Sequence, residues 1–174
     1  MQWLTRISVL DQRLFLGITA NCASNSLLRP ALLISRTGDG YAQVLLPLLI
    51  ALTLSFDLAQ RFLMITIGTF ATERLIYLAL KNTLKRRRPP AFFPDFNSSI
   101  TASDEFSFPS GHTCAAFLLW ALCSAVAPWI MMPLLIWAIA VGCSRVILGV
   151  HFPADILAGA ILGCSIGQLF VNFL

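Results

Sequence analysis

The sequence predicts an all-α fold: an integral-membrane helical bundle of five firm transmembrane helices plus an N-terminal helical segment, interfacial or a sixth span. Three observations carry this expectation. Of 174 residues, 57% are hydrophobic and 11% charged, where a soluble domain carries roughly 25% charged residues. The apolar residues fall in long runs separated by short polar breaks. The remaining charges are gathered into a few of those breaks instead of being spread over a surface.

The elements follow in order. In residues 1–37, Leu14, Leu16 and Ile18 alternate with polar positions, and Arg29-Pro30 breaks the second half. This predicts short amphipathic helices at the interface, with Trp3 as an anchor; a poor first span over 14–34 is the alternative. Thr37-Gly38-Asp39-Gly40 is a turn signal. Residues 41–56 form the first clean apolar run, 57–61 read as a polar turn, and 62–80 form the next span. That span holds Glu73 and Arg74, and charges at membrane depth are costly unless they face the protein interior or a wet cavity. A Glu–Arg pair locking two helices is the plainer reading. Residues 111–127, 130–150 and 153–174 complete the five. The last contains Gly159, Gly163 and Gly167, a ladder of small residues that allows close helix contact inside the bundle. The whole chain, 1–174, reads as one membrane-embedded domain, with 1–40 as the interfacial or first-span segment.

Several classes are disfavoured. Net charge is +4, but the cations are few and clustered, so nucleic acid is not an expected partner. The five cysteines show no Cys-x-x-Cys pair, which argues against a disulfide framework or a zinc site. Asp11, Arg13 and Asn21 interrupt what would be the apolar core of a cleavable signal.

The polar residues that remain form three clusters. The first is Lys81 to Pro89, ending in four cations and a proline. It opens the expected active-site loop, 81–110, whose 91–108 stretch is long for a compact protein. That stretch carries Phe92, Phe93, Phe96, Phe106 and Phe108, which either line the access of an acyl or prenyl chain or pack within the loop. The second cluster is Pro109-Ser110-Gly111-His112. The third runs from Ser144-Arg145 through His151 to Asp155. Loop 81–110 and the break at 151–153 are separated by two spans, so all three clusters lie on one side of the membrane.

Together they suit a phosphoryl dianion. Lys81, Arg88 and Arg145 supply positive charge, and a guanidinium fork matches phosphate oxygens two at a time. Lys81 and Arg88 would share a face if their helix continues that far. Ser110 and Gly111 open a helix whose hydroxyl and free N–H groups receive an anion. Both histidines of the chain belong to the set, and transfer to water needs one neutral imidazole to attack and one protonated imidazole to release the leaving oxygen. Asp155, one turn after His151, can orient that ring and stabilise its cation, as the aspartate of a catalytic triad does. His112, with no carboxylate near it in sequence, is left as general acid. A metal is disfavoured, because three neighbouring cations would repel it. Lys85, Arg86 and Arg87 read as topology or head-group signals.

Order and spacing of the three clusters resemble the signature motifs of the type 2 phosphatidic acid phosphatase superfamily, membrane lipid phosphatases related to vanadium haloperoxidases. The pattern is Lys-x6-Arg-Pro, Pro-Ser-Gly-His and Ser-Arg-x5-His-x3-Asp, matched here without a gap. The resemblance implies a phosphohistidine at His151, with Asp155 as its partner and His112 protonating the leaving group. It implies Lys81, Arg88, Ser110, Gly111 and Arg145 as phosphate ligands, with no cofactor and no metal. It also implies an active site at the extracytoplasmic edge of a bacterial inner membrane. Five firm spans are one fewer than the family's usual six helices, so the N-terminal segment must supply the sixth. Substrate and partner would be a lipid phosphate or diphosphate among membrane lipids, best guess undecaprenyl diphosphate. Phosphatidylglycerol phosphate, phosphatidic acid and lipid A phosphate are alternatives, as are a lipid phosphotransferase and a non-catalytic binder or translocator.

Overall fold

The computed structural model describes residues 2–22, 24–102 and 104–174, with side chains undescribed for 2–7 and Asn25. Trp3, the expected anchor, therefore lies outside the described side chains. The described residues form an all-α membrane bundle. Its helices are α1 (Gln2–Asn21), α2 (Asn25–Thr37), α3 (Tyr41–Ala51), α4 (Phe56–Leu84), α5 (Pro89–Phe92), α6 (Gly111–Val126), α7 (Met131–Ile147) and α8 (Pro153–Val171). A 3-10 turn, Pro128–Ile130, leads into α7.

Helix α6 is the centre. Cys114, Ala116, Leu118, Leu119, Leu122 and Cys123 along it are fully buried, and its main neighbours are α8 and α7. The tight partner is α8, because its glycines leave room for backbone. A Cβ at Gly163 would stand 2.2 Å from the Cys114 carbonyl oxygen, and one at Gly159 would stand 2.6 Å from that of Ser110. The small-residue ladder thus serves contact within the bundle, as its spacing suggested. Outward, Leu45, Leu49, Met64, Ile67, Leu75, Ile136, Leu157 and Ile161 are exposed. This is the apolar face a lipid-embedded bundle requires.

The ends of four helices meet at one end of the bundle. Helices α4 and α7 finish there, and α6 and α8 begin there. The Ser110 N–H donates to the Asp155 carbonyl at 3.1 Å, joining the starts of α6 and α8. Helix α1 lies across this end: Asp11 and Phe15, near its middle, both meet it. Phe15 is fully buried among Phe93, Phe96 and Phe152, with centroids 5.1–6.1 Å away. Loop packing is therefore the role of Phe93 and Phe96.

Several boundaries differ from expectation. Three helical segments, Phe56–Leu84, Pro128–Ile147 and Pro153–Val171, are long and apolar enough to cross a membrane, while Tyr41–Ala51 and Gly111–Val126 are shorter. Residues 57–61 are not a turn but open α4. Ser55 is extended at its N-cap position and Asp57 sits in the first turn, where a negative charge is favoured. The helix also stops before Arg88. It ends at Leu84, with Lys85 left-handed at φ 46°, so Lys81 and Arg88 do not share a helical face. Arg88 is instead in extended backbone before α5. Finally, no described ion pair joins Glu73 to Arg74; both line the cavity described below.

Gly163→Ala is expected to cost about 1–3 kcal/mol, the range for overpacking. It should lower the melting temperature in detergent well below that of Gly17→Ala, where an added Cβ meets nothing within 4 Å. Equal melting temperatures would mean that the α6–α8 contact is not the tight one.

Candidate active site

A cavity of about 1250 Å³ opens at the end of the bundle where the three clusters meet. Lys81, Arg88, Asp104, Gly111, His112, Arg145 and His151 line one end. The other walls are mostly apolar, with Val44, Pro47 and Leu48 from α3 facing Leu63, Ile67 and Phe70 from α4, and carry Gln43, Thr66, Glu73 and Arg74 among them. This exceeds the roughly 300–1,000 Å³ of ordinary small-molecule pockets, and it joins a cationic head to an apolar trough.

His151 sits in the break between α7 and α8, 2% exposed. The local fold follows from its neighbours. Gly149 takes φ +80°, and a Cβ there would stand 2.6 Å from the Phe96 ring. Pro153 begins α8, where a missing N–H costs nothing. Asp155, fully buried, accepts the Phe152 N–H at 2.8 Å, closing the helix start. The same carboxylate oxygen is 3.5 Å from His151 Nδ1. That is the outer limit of a hydrogen bond, and Nδ1 has no closer partner among the described residues. On the other side of the ring, Arg88 Nη1 lies 3.4 Å from Nε2. A neutral ring with its proton on Nδ1 satisfies both neighbours: Nδ1 points its proton toward Asp155, and the Nε2 lone pair faces Arg88, which must yield it to an incoming phosphorus. Burial pushes the His151 pKa down; Asp155 opposes this and Arg88 and Arg145 add to it, for a net value of about 4. The ring is thus neutral at physiological pH, as an attacking nitrogen must be.

The cations converge with different degrees of freedom. Arg145 Nη1 donates to Ser35 Oγ at 2.6 Å, while its buried Nε has no partner among the described residues. Arg88 donates from Nη1 to the Val150 carbonyl at 2.6 Å and from Nε to the Asp104 carbonyl at 2.9 Å. Its Nη2 donates to the Asp104 carboxylate, which also holds Lys81 at 2.6 Å and accepts from the Tyr77 hydroxyl at 2.9 Å. Burial would push the Asp104 pKa up, but these hydrogen bonds outweigh it and hold the carboxyl at about 2.

His112 opens α6, and its Nε2 is 2.7 Å from Asp39 Oδ1 in the turn between α2 and α3. The histidine without a sequence-near carboxylate thus has one in space. Gly111 lets Tyr77 close on the helix start, since a Cβ would stand 3.0 Å from that ring. Ser110 is placed otherwise than expected. It is fully buried, its Oγ accepts from Thr113 Oγ1 at 2.9 Å as the cap of α6, and it does not line the cavity. Ser144 is likewise occupied, donating to the Val141 carbonyl at 2.6 Å.

Sequence reasoning missed Asp39, Tyr77, Asp104, Arg86 and Asp11. Arg86, read as a topology signal, donates to Asp155 Oδ1 at 2.7 Å and to Asp11 Oδ2 at 2.5 Å. The available signal was scarcity: with only eight acidic residues in the chain, each is a candidate partner for a motif cation.

The sequence profile of the PAP2 superfamily matches residues 62–174. Decaprenylphosphoryl-5-phosphoribose phosphatase of Mycobacterium tuberculosis is 29% identical over 106 residues, 59% of this chain and 55% of that protein. Phosphatidylglycerophosphatase B of Bacillus subtilis is 34% identical over 118 residues, 60% of this chain and 54% of that protein. The matches thus span about half the length of these relatives. Among solved structures, that of Aquifex aeolicus LpxE superposes with a TM-score of 0.75 at 28% identity, covering 92% of this chain and 93% of that one.

Asp104 holds Lys81 and Arg88, two of the expected phosphate ligands, with a charge that would compete with an anion for them. Asp104→Asn removes that competing charge and keeps the side chain's shape. It is expected to tighten inhibition by orthovanadate or inorganic phosphate by about tenfold, roughly 1.4 kcal/mol. Weaker inhibition would show instead that Asp104 holds Lys81 and Arg88 in place for the anion.

Proposed function

This chain belongs to the PAP2 superfamily, and on that premise we propose that it is a membrane lipid phosphatase. It releases the terminal phosphate of a lipid phosphate or diphosphate through a phosphohistidine. The observation that carries the reading is the cavity itself: donors for a phosphoryl group at one end and mostly apolar walls between α3 and α4 for a lipid chain. The names of the relatives, phosphatases of a prenyl-linked sugar phosphate and of phosphatidylglycerophosphate, support the same class.

The steps assign themselves to side chains. Lys81, Arg88, the unpartnered Nε of Arg145 and the Gly111 end of α6 hold the phosphoryl oxygens. His151 Nε2 attacks phosphorus as the bond to the leaving oxygen breaks, and His112 donates a proton to that oxygen. Asp155 stabilises the charge that builds on the phosphorylated ring. Water, deprotonated by His112, then attacks phosphorus, and inorganic phosphate leaves with His151 neutral again. Substrate must displace Asp104 from the cations, and His112 must turn from Asp39 or donate through Nδ1. Positive charge comes from side chains throughout, so the reaction proceeds without a metal. Undecaprenyl diphosphate remains the first substrate to test, because a long apolar chain suits the α3 and α4 walls of the cavity. We place the site at the extracytoplasmic face, from the family resemblance.

In detergent, with a panel of lipid monophosphates and diphosphates, phosphate release is expected to survive chelation and to stop in His151→Ala. His112→Ala should lose least on substrates with good leaving groups, which need little protonation. Turnover retained in His151→Ala would remove the phosphohistidine. For orientation, a cysteine at position 100 should react with an impermeant thiol reagent on intact cells, above the background of the native cysteines. Reaction only after lysis would place the site inside.

A further inference from the structure

Of the three cations between Lys85 and Arg87, Lys85 and Arg87 are exposed and Arg86 turns inward. Its guanidinium lies 4.3 Å from the centre of the Phe152 ring, the residue after the expected nucleophile. Nη1 donates to Asp155 at 2.7 Å and Nη2 to Asp11 at 2.5 Å. Its carbonyl accepts the Ser107 N–H at 2.8 Å, which fixes the backbone. Asp11 comes from α1, is 6% exposed, and uses its second oxygen to accept the Ala154 N–H at 2.9 Å. A chain of contacts therefore runs from α1 to His151: buried Asp11, half-buried Arg86, buried Asp155 and, 3.5 Å on, the imidazole. Arg86 is in the matched region but outside the three motifs, and Asp11 is outside the region altogether.

We propose that Arg86 and Asp11 are positioning residues for the His151–Asp155 pair, through which helix α1 sets the orientation and charge of the carboxylate behind the nucleophile. The inference rests on the reading of His151 as nucleophile. Arg86 occupies Oδ1 of Asp155 and the Phe152 N–H occupies Oδ2, so the carboxylate cannot rotate and Oδ2 stays aimed at Nδ1. Two opposed effects set the charge. Arg86 alone would draw Asp155 away from the proton on Nδ1 and weaken the stabilisation of the phosphorylated ring. Asp11 offsets Arg86, leaving the triplet with a net single negative charge. The other charged groups facing His151 are Arg88, from the segment after α4, and Arg145, from α7. Asp104 and, through it, Lys81 stand behind Arg88.

The chain has two histidines, so the ionisation of His151 can be followed by NMR on the full chain, isotope-labelled at histidine and held in detergent. His151→Gln assigns its signal. Arg86→Gln removes a positive charge and is expected to raise the His151 midpoint by at least about half a pH unit. Asp11→Asn removes a negative charge while keeping an acceptor for Ala154, so it should leave the midpoint at or below the wild-type value. Arg86→Lys should stay close to wild type. For phosphate release, both Arg86→Gln and Asp11→Asn should lower kcat about tenfold with KM little changed, since neither residue touches the phosphate. A purely structural role predicts something else: loosening would admit water and raise the midpoint in both variants. A rise in both, or no shift in either alongside a lower melting temperature, overturns the proposal. Should Arg86→Gln fail to fold, Asp11→Asn and Arg86→Lys still decide it, because a rise in either has the wrong sign. A wild-type chain that released no phosphate from any lipid would sink the proposed function while leaving the titration readable.

Discussion

Backbone contact between α6 and α8 is the constraint on which the rest of the structure depends. It exists because Gly159 and Gly163 present no side chain to the carbonyls of Ser110 and Cys114. Water offers no help here: between helices in lipid the hydrophobic drive is absent, and close packing must supply the association. The contact also sets a register. With α6 and α8 starting at the same level, the Ser110 N–H reaches the Asp155 carbonyl. Helix α6 then delivers His112 and α8 delivers Asp155 to one end, with His151 held by the short break before α8. A slip of one helical turn would move His112 by about 5.4 Å and separate the two imidazoles from their common cavity.

Around that frame the site must keep several like charges together at a membrane edge. Lys81, Arg88 and Arg145 are all buried, and buried cations without partners are strongly disfavoured. The described structure answers with loaned partners. Asp104 serves Lys81 and Arg88, Ser35 serves Arg145, and the Val150 carbonyl takes a further donor from Arg88. Asp104 is the one anion in this set on a loop, 35% exposed at its side chain, and it makes contacts of the kind a phosphoryl oxygen would make. Asp104 thus balances the buried charge of Lys81 and Arg88 from a position that stays partly open to solvent.

Much of this was legible in the sequence, for a physical reason. Chemistry done by residues close along the chain leaves a spacing. His151 and Asp155 fall one turn apart, and the membrane-span parity of loop 81–110 and break 151–153 placed the clusters on one face before any coordinates. The glycine ladder was legible in the same way. What stayed hidden depends on long-range contact. Asp39 meets His112 across 73 residues of sequence, and Arg86 meets Asp11 across 75; no periodicity encodes such a pairing. The helix boundaries failed for a different reason. Polarity at 57–61 predicts a turn, yet a helix continues beyond the apolar layer when its first turn is acidic, as Asp57 makes it here. Cap and anion ligand use the same serine hydroxyl, so the sequence does not show that Ser110 is buried as the cap of α6.

The hidden contacts have a common origin that bears on what the N-terminal segment does. Asp11 and Ser35 come from α1 and α2, and Asp39 from the turn after α2. All three precede the matched region, which begins at residue 62. Each reaches a motif or a motif neighbour: Asp11 reaches Arg86, Ser35 reaches Arg145, and Asp39 reaches His112. Within the matched region Asp104 partners Lys81 and Arg88, while the preceding segment partners Arg86, Arg145 and His112. On the proposed mechanism such partners adjust basicity and not bond making. Helix α1 carries Asp11 and Phe15 on its buried side to the end of the bundle, while Val9, Leu10, Leu14 and Leu16 are exposed.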